Sequence, residues 1–276
     1  MKKPLLAVAI VVLCFCCSVT FALDPIGSPA DKLKRGQFCI GADYSFSEMD
    51  FEAKGRSILT IYNLTSGDLI GIQSQKQSLS LDGVEVQKAY ANLGYGITDN
   101  LEAFLRLGAA DAEWKDDGDT HFSFGFRTGV TLYEKDALQL SALAQYSWAE
   151  SEFDSLPLTT VVGGISYPML MSGRLNIQEL QIALGPTYEL TKGISLYGGG
   201  FFHFMDGKLD LKGSASTTSI PKIGYDLDSS YDIDQASELG TYIGAKIDAT
   251  KNISYSIEYQ HTASADAIAM RLLWRF

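Results

Sequence analysis

The sequence predicts an all-β chain: a transmembrane antiparallel up-and-down β-barrel of about ten strands, with eight or twelve also compatible. Three observations predict it. Apolar–polar alternation recurs along the chain, the apolar side of each alternating run carries no charge, and short turns alternate with long polar connections. The 276 residues carry 22 Lys+Arg against 33 Asp+Glu, a net charge of −11. That acid excess speaks against a nucleic-acid binder, which needs cations to offset phosphate repulsion. An apolar fraction of 46% is too high for a disordered chain.

Residues 1–22 read as a secretory signal. Lys2 and Lys3 form a basic start, Leu5 to Cys17 an apolar stretch, and small residues precede an expected cut after Ala22. The stretch is shorter than the ~20 residues a spanning helix needs. Removal would take Cys14, Cys16 and Cys17 with it. Cys39 would then be the single cysteine of the mature chain, so no internal disulfide is expected. Residues 23–36 are expected to form a short periplasmic lead, able to reach into the barrel mouth, and 37–276 the barrel.

The strands follow in order. In the first, Phe38, Ile40, Ala42, Tyr44 and Phe46 share one face. Ala89, Ala91, Leu93, Tyr95 and Ile97 make the second, and Leu101, Ala103, Leu105, Leu107 and Ala109 the third. Phe122 to Leu132 and Leu138 to Trp148 give the fourth and fifth, Leu180 to Leu190 the sixth. Ile194 to Met205 is weaker because Gly198 and Gly200 interrupt its lipid side. Leu239 to Ile247, Ile253 to Tyr259 and Ile268 to Phe276 complete ten. Short turns fall near 98–100, 133–136, 191–193 and 249–252. Long polar segments fall at 48–83, 111–120, 149–178 and 206–237, with a short fifth at 262–266. Ile58 to Leu64 and Leu158 to Tyr167 would each serve as an extra hairpin limb or strand, which leaves the other counts open.

The polar face distinguishes a membrane barrel from a soluble sandwich. It is rich in Gly, Ser, Thr, Gln and Asn, among them Gly94, Gly108, Gly125 and Gly185, as a crowded concave wall requires. Aromatics sit at strand ends, where amphipathic rings suit a headgroup boundary. Tyr95, Tyr188, Tyr255, Trp274 and Phe276 mark the short-turn side. Phe46, Phe122, Tyr146, Trp148, Phe204 and Tyr259 mark the long-loop side.

The last strand, Ile268 to Phe276, alternates and ends Trp274-Arg275-Phe276. It resembles the terminal strand of Gram-negative outer-membrane β-barrels of the small opacity or porin type. The resemblance implies localisation in the cell outer membrane and outer-membrane lipid around the wall. It also implies that Trp274 and Phe276 act as an assembly signal for the barrel-assembly machinery and periplasmic chaperones. Pro186 departs from the pattern because it removes a ladder donor, and a bulge near the turn is expected to accommodate it.

Parity places Lys88, Arg106, Arg127, Lys246, Arg271 and Arg275 in the lumen with Asp43, Glu102, Asp248 and Glu258. Charges in a narrow barrel are expected to pair; a selective constriction for small solutes is the alternative. His121, His203 and His261 map to the long-loop side, the first two inward and the third outward. Asp111, Asp119 or Asp206 beside them would give a rim acid–base site. Asp116-Asp117-Gly118-Asp119 resembles part of a calcium loop but lacks the bidentate Glu. Asp226, Asp228, Asp232 and Asp234 are loop acids able to bridge to anionic surface lipid through divalent cations, or simply solvated. No catalytic residue, cofactor or dedicated metal site is expected. The expected role is non-enzymatic, structural or surface-interacting with a possible extracellular ligand. A narrow porin-like channel comes second and a rim hydrolase third.

Overall fold

A computed structural model describes residues 23–28, 31, 33–113, 119–162, 165–216 and 222–276. The expected signal and residues 116–118 of the acidic motif lie outside the described residues. Ten strands are present: β1 (Phe38–Asn63), β2 (Leu69–Gly96), β3 (Leu101–Glu113), β4 (His121–Lys135), β5 (Leu138–Val162), β6 (Ile165–Thr191), β7 (Ile194–Ser216), β8 (Ile223–Asp248), β9 (Ile253–His261) and β10 (Ala265–Arg275). Each pairs antiparallel with its sequence neighbours, and β1 closes the ring on β10 from Cys39↔Arg275 to Met49↔Ala265. Closure leaves no open strand edge at the depth where no water is available to satisfy one.

β1 starts and β10 ends at the short-turn rim. The Gly36 N–H donates to the Gly96 carbonyl at 2.8 Å, and the Phe276 N–H to the Phe38 carbonyl at 2.9 Å. Phe38 and Tyr95 stack at 4.8 Å and Trp274 and Phe276 at 5.1 Å, forming one aromatic girdle. On the opposite rim Tyr44 donates to Gln87 and Tyr146 to Gln178, beside a Phe124–Trp148 contact at 5.6 Å. These rings mark the two headgroup levels.

The segments expected as long loops are mostly extensions of the strands. β1–β2, β5–β6 and β7–β8 run on as hairpins far past the membrane band, so Ile58 to Leu64 and Leu158 to Tyr167 are limbs of existing strands. The count therefore stays at ten. β3, β4, β9 and β10 stop early. Above them six strands continue in the order β2-β1-β8-β7-β6-β5, because β1 pairs with β8 directly from Ala53↔Ile233 to Asn63↔Ile223.

The polarity of the faces reverses along single strands. On β6, Leu180, Ile182 and Leu184 point outward at membrane depth while Glu179 and Gln181 point inward and are buried. Further out the same inward face carries Met171, Leu175 and Ile177, all buried, and the outward face carries Ser172 and Arg174. β1 and β7 switch likewise, at Phe46/Glu48 and Phe204/Asp206. The solvent outside a strand decides which face is apolar. Acyl chains select apolar side chains outward, and water selects them inward.

Pro186 pairs in register with Leu140, and the ladder to β7 lapses between Leu184↔Gly200 and Thr187↔Tyr197. The irregularity expected near the turn is a register shift between Glu189 and Thr191. Gly185 permits the lapse, since a Cβ there would lie 2.0 Å from the Gly198 carbonyl oxygen.

Candidate functional site: the sealed lumen

The segment expected as a periplasmic lead is inside the barrel. Leu23, Asp24, Ile26, Ser28, Asp31 and Leu33 are all buried. From Leu23 the chain runs down the lumen and leaves at the short-turn rim, where Gly36 meets Gly96. Leu33 packs with Cys39, Phe104 and Leu273 near that rim, and Leu23 and Ile26 join the apolar cluster above. Barrel strands present the charges that hold it, because inward parity places them along the wall facing the plug.

Two carboxylates of this plug organise the cations. Asp24 lies 2.8 Å from Arg106 and 3.2 Å from Lys88, and Lys88 also reaches Glu179 at 2.5 Å. Asp31 lies 2.7 Å from Arg271 and 3.5 Å from Arg127. Asp43 on the wall bridges the two sets, 3.1 Å from Arg271 and 3.5 Å from Arg106. The plug backbone is held as well. The Asp31 and Leu33 N–H groups donate to Glu102 at 2.5 and 3.0 Å, and the Ile26 N–H to Glu258 at 2.8 Å. Gln260 and Arg127 donate to the Asp24 and Ser28 carbonyls. Arg106 also lies 4.1 Å over the Tyr90 ring, and Arg271 4.8 Å over Phe104.

Of the expected lumen residues, Asp43, Lys88, Glu102, Arg106, Arg127, Lys246, Glu258, Arg271 and Arg275 are buried inside. Asp248 is at the short-turn rim with its side chain 36% exposed, 3.5 Å from Arg275 and 4.0 Å from Lys246. Three members were missed: Asp24, Asp31 and Glu179. Adding them balances the buried set. Lys88, Arg106, Arg127, Lys246, Arg271 and Arg275 stand against Asp24, Asp31, Asp43, Glu102, Glu179 and Glu258. Glu179 was available by parity, as the neighbour of outward Leu180. Nothing local marks Asp24 and Asp31; only a surplus of lumen cations pointed to missing acids.

Above the plug the interior is apolar. Met49, Leu81, Val84, Leu209, Leu211 and Ile233 belong to the same buried cluster as Leu175 and Ile177. The lumen is thus filled twice, by paired charges at membrane depth and by hydrocarbon outside it.

The three histidines do not meet the acids expected for them. His203 is buried 3.6 Å from Glu179, and His121 is half-buried 3.9 Å from Glu152. His261 is 2.5 Å from Asp266, which also accepts from the Tyr259 hydroxyl. Its side chain is 58% exposed on the outward face. Asp111 accepts from Thr120, Asp119 bridges to Glu152, and Asp206 lies opposite Gln178. Asp226 accepts from Tyr62, while Asp228 and Asp232 lie on β8 opposite Ile58 and Lys54. Near them Asp210 stays below the usual carboxylate range: burial would raise it, but Ser230 and Lys208 outweigh that.

A protein-family model described as outer membrane protein beta-barrel domain matches residues 69–273. No curated protein matches. Among solved structures, similar chains include the outer membrane protease OmpT from Escherichia coli at 10% identity and TM-score 0.46, covering 86% of this chain and 97% of that one. The toluene transporter TodX of Pseudomonas putida matches at 10% identity and TM-score 0.36, with 94% of each chain covered. Ail, the attachment invasion locus protein of Yersinia pestis, matches at 12% identity and TM-score 0.29, covering 88% and 99%. A protease, a transporter and an attachment protein do not share one activity, so these likenesses leave the role to the site itself.

Proposed function

Because this chain belongs to the outer membrane protein β-barrel domain family, placing it in the cell outer membrane, we propose that it is a closed, non-catalytic barrel. Its work is done by the six-stranded layer it presents outside the cell. One observation carries the reading: the buried plug residues between Leu23 and Leu33 occupy the lumen, and their two carboxylates, Asp24 and Asp31, offset the excess of cations on the wall. A conducting pore needs a continuous polar path, and the apolar cluster above the plug opposes one. The histidine environments favour no acid–base chemistry, since one is buried against a carboxylate away from solvent and another lies exposed on the outward face. Outer-membrane lipid surrounds the wall, and we assign the β10 terminus, Trp274 and Phe276, to recognition by the assembly machinery and its chaperones. An extracellular ligand would meet the outer layer.

Planar-bilayer recording of the refolded protein tests the reading. We expect no openings above background. Steady ion-selective conductance from the unmodified chain would replace this proposal with the narrow channel.

A further inference from the structure

A barrel has no free strand edge at membrane depth, but this one acquires an edge outside it. β2 pairs with β3 only from Glu85 to Gly96, and β3 ends at Glu113. From Leu69 to Leu81 β2 pairs with β1 alone, and among the described residues no strand lies on its other side. The register with β1 is continuous from Leu81 to Gly71, so no bulge blunts the edge. The segment contains no proline, and its Gln73, Ser74 and Gln75 are exposed. Unpaired N–H and C=O groups in such a row are a template for a further strand.

The side chains say which kind of strand. Arg56 and Lys76 are directly opposite in the β1–β2 register and both are exposed. Like charges opposite one another destabilise a sheet. Among the described residues no carboxylate is within ion-pair distance of either, whereas neighbouring Lys54 has Glu52 at 3.5 Å. A strand added beside β2 would set its own side chains next to Lys76. We propose that the open edge of β2 binds an extended acidic peptide segment of another protein, added as a seventh strand to the outer layer. This rests on the surface-interaction reading above and names its partner.

Phosphates of membrane lipid fit the geometry less well. On β1 the unbroken run of outward apolar residues ends at Phe46, and the outward positions from Glu48 to Arg56 are polar before Ile58 near the tip. At ~3.3 Å per residue and a tilt of ~40°, Arg56 stands roughly 25 Å beyond the level of Phe46, past the reach of a side chain to the headgroups.

The test uses the full chain refolded in detergent free of lipopolysaccharide. Its probe is a fluorescent peptide of about nine residues alternating Thr and Glu, the length of one β-strand, read by anisotropy. A peptide alternating Thr and Lys is the control. Neighbouring residues of a strand turn their N–H groups to opposite sides, so one of Gln73→Pro and Ser74→Pro removes an edge donor while sparing the β1 ladder. We expect the Glu peptide to bind and the Lys peptide not to. One of the two proline variants should lose binding with its heat-modifiable gel shift retained, and Lys76→Glu should weaken binding about tenfold. Failure of the Glu peptide to bind overturns the proposal. So does binding that survives both prolines but falls with Arg56→Ala, which would mark a polyanion site such as lipopolysaccharide phosphate. Conductance of the same preparation is a separate readout. A barrel that conducts and still binds the peptide would refute only the closed-lumen reading.

Discussion

Asp24→Ala is the sharpest probe of the plug. Asp24 has partners on two strands, Arg106 at 2.8 Å and Lys88 at 3.2 Å, and all three side chains are buried. Removing one member of a buried charge pair costs about 3–5 kcal/mol, because its partner is left uncompensated out of water. Here the low end applies, since Lys88 keeps Glu179 at 2.5 Å and Arg106 keeps Asp43 at 3.5 Å. About 3 kcal/mol shifts the balance between seated and unseated plug by roughly a hundredfold. The wall cations lose nothing comparable when the plug leaves, because water then reaches them. The assay that follows the shift is cleavage of residues 23–36 by protease added at the short-turn face of proteoliposomes. Faster cleavage is expected in Asp24→Ala, with the barrel still folded by heat-modifiable migration. If the variant is as protected as the parent chain, the ion pairs do not hold the plug and the argument fails.

Gly27 sits in the plug at φ +64°, and a Cβ there would lie 3.2 Å from guanidinium nitrogens of both Arg127 and Arg271. Gly27→Ala is therefore expected to loosen the plug by about 1–3 kcal/mol, read as faster cleavage of the same segment. Leu175→Ala removes buried volume from the outer layer alone and should destabilise that layer by about 2–5 kcal/mol. Limited proteolysis from outside would then cut within 149–178 while the membrane wall stays resistant; cleavage unchanged from the parent would disprove independent packing of the layer. Deleting Phe276 should reduce assembly in cells yet leave refolding in detergent intact, and equal loss in both would deny it a signalling role.

Much of the membrane wall is legible because one alternation runs through most of its strands: Ile40, Leu105, Phe126 and Ile182 face lipid, and Asp43, Arg106 and Arg127 face the lumen. The outer layer was misread as loops for the same reason. Between Met169 and Leu180 the alternation persists, but its apolar and polar faces trade places, so a reading tuned to lipid meets Arg174 where it wants a hydrocarbon. The plug was hidden for a different reason. A segment with no periodicity carries no mark of where it packs, and Asp24 and Asp31 acquire meaning only from Arg106 and Arg271, which are distant in sequence. Glu179 was legible and passed over, because attention to Leu180 left its inward neighbour unread.

β1 offers one of its edges to two different strands in succession, β10 below and β8 above. A slip of one residue against either would turn every side chain of that stretch to the wrong face. A slip shared by both would turn Asp43 toward acyl chains and Leu59 toward water at once. The seam of this barrel is thus latched at two heights by unrelated partners, and neither latch can shift while the other is fastened.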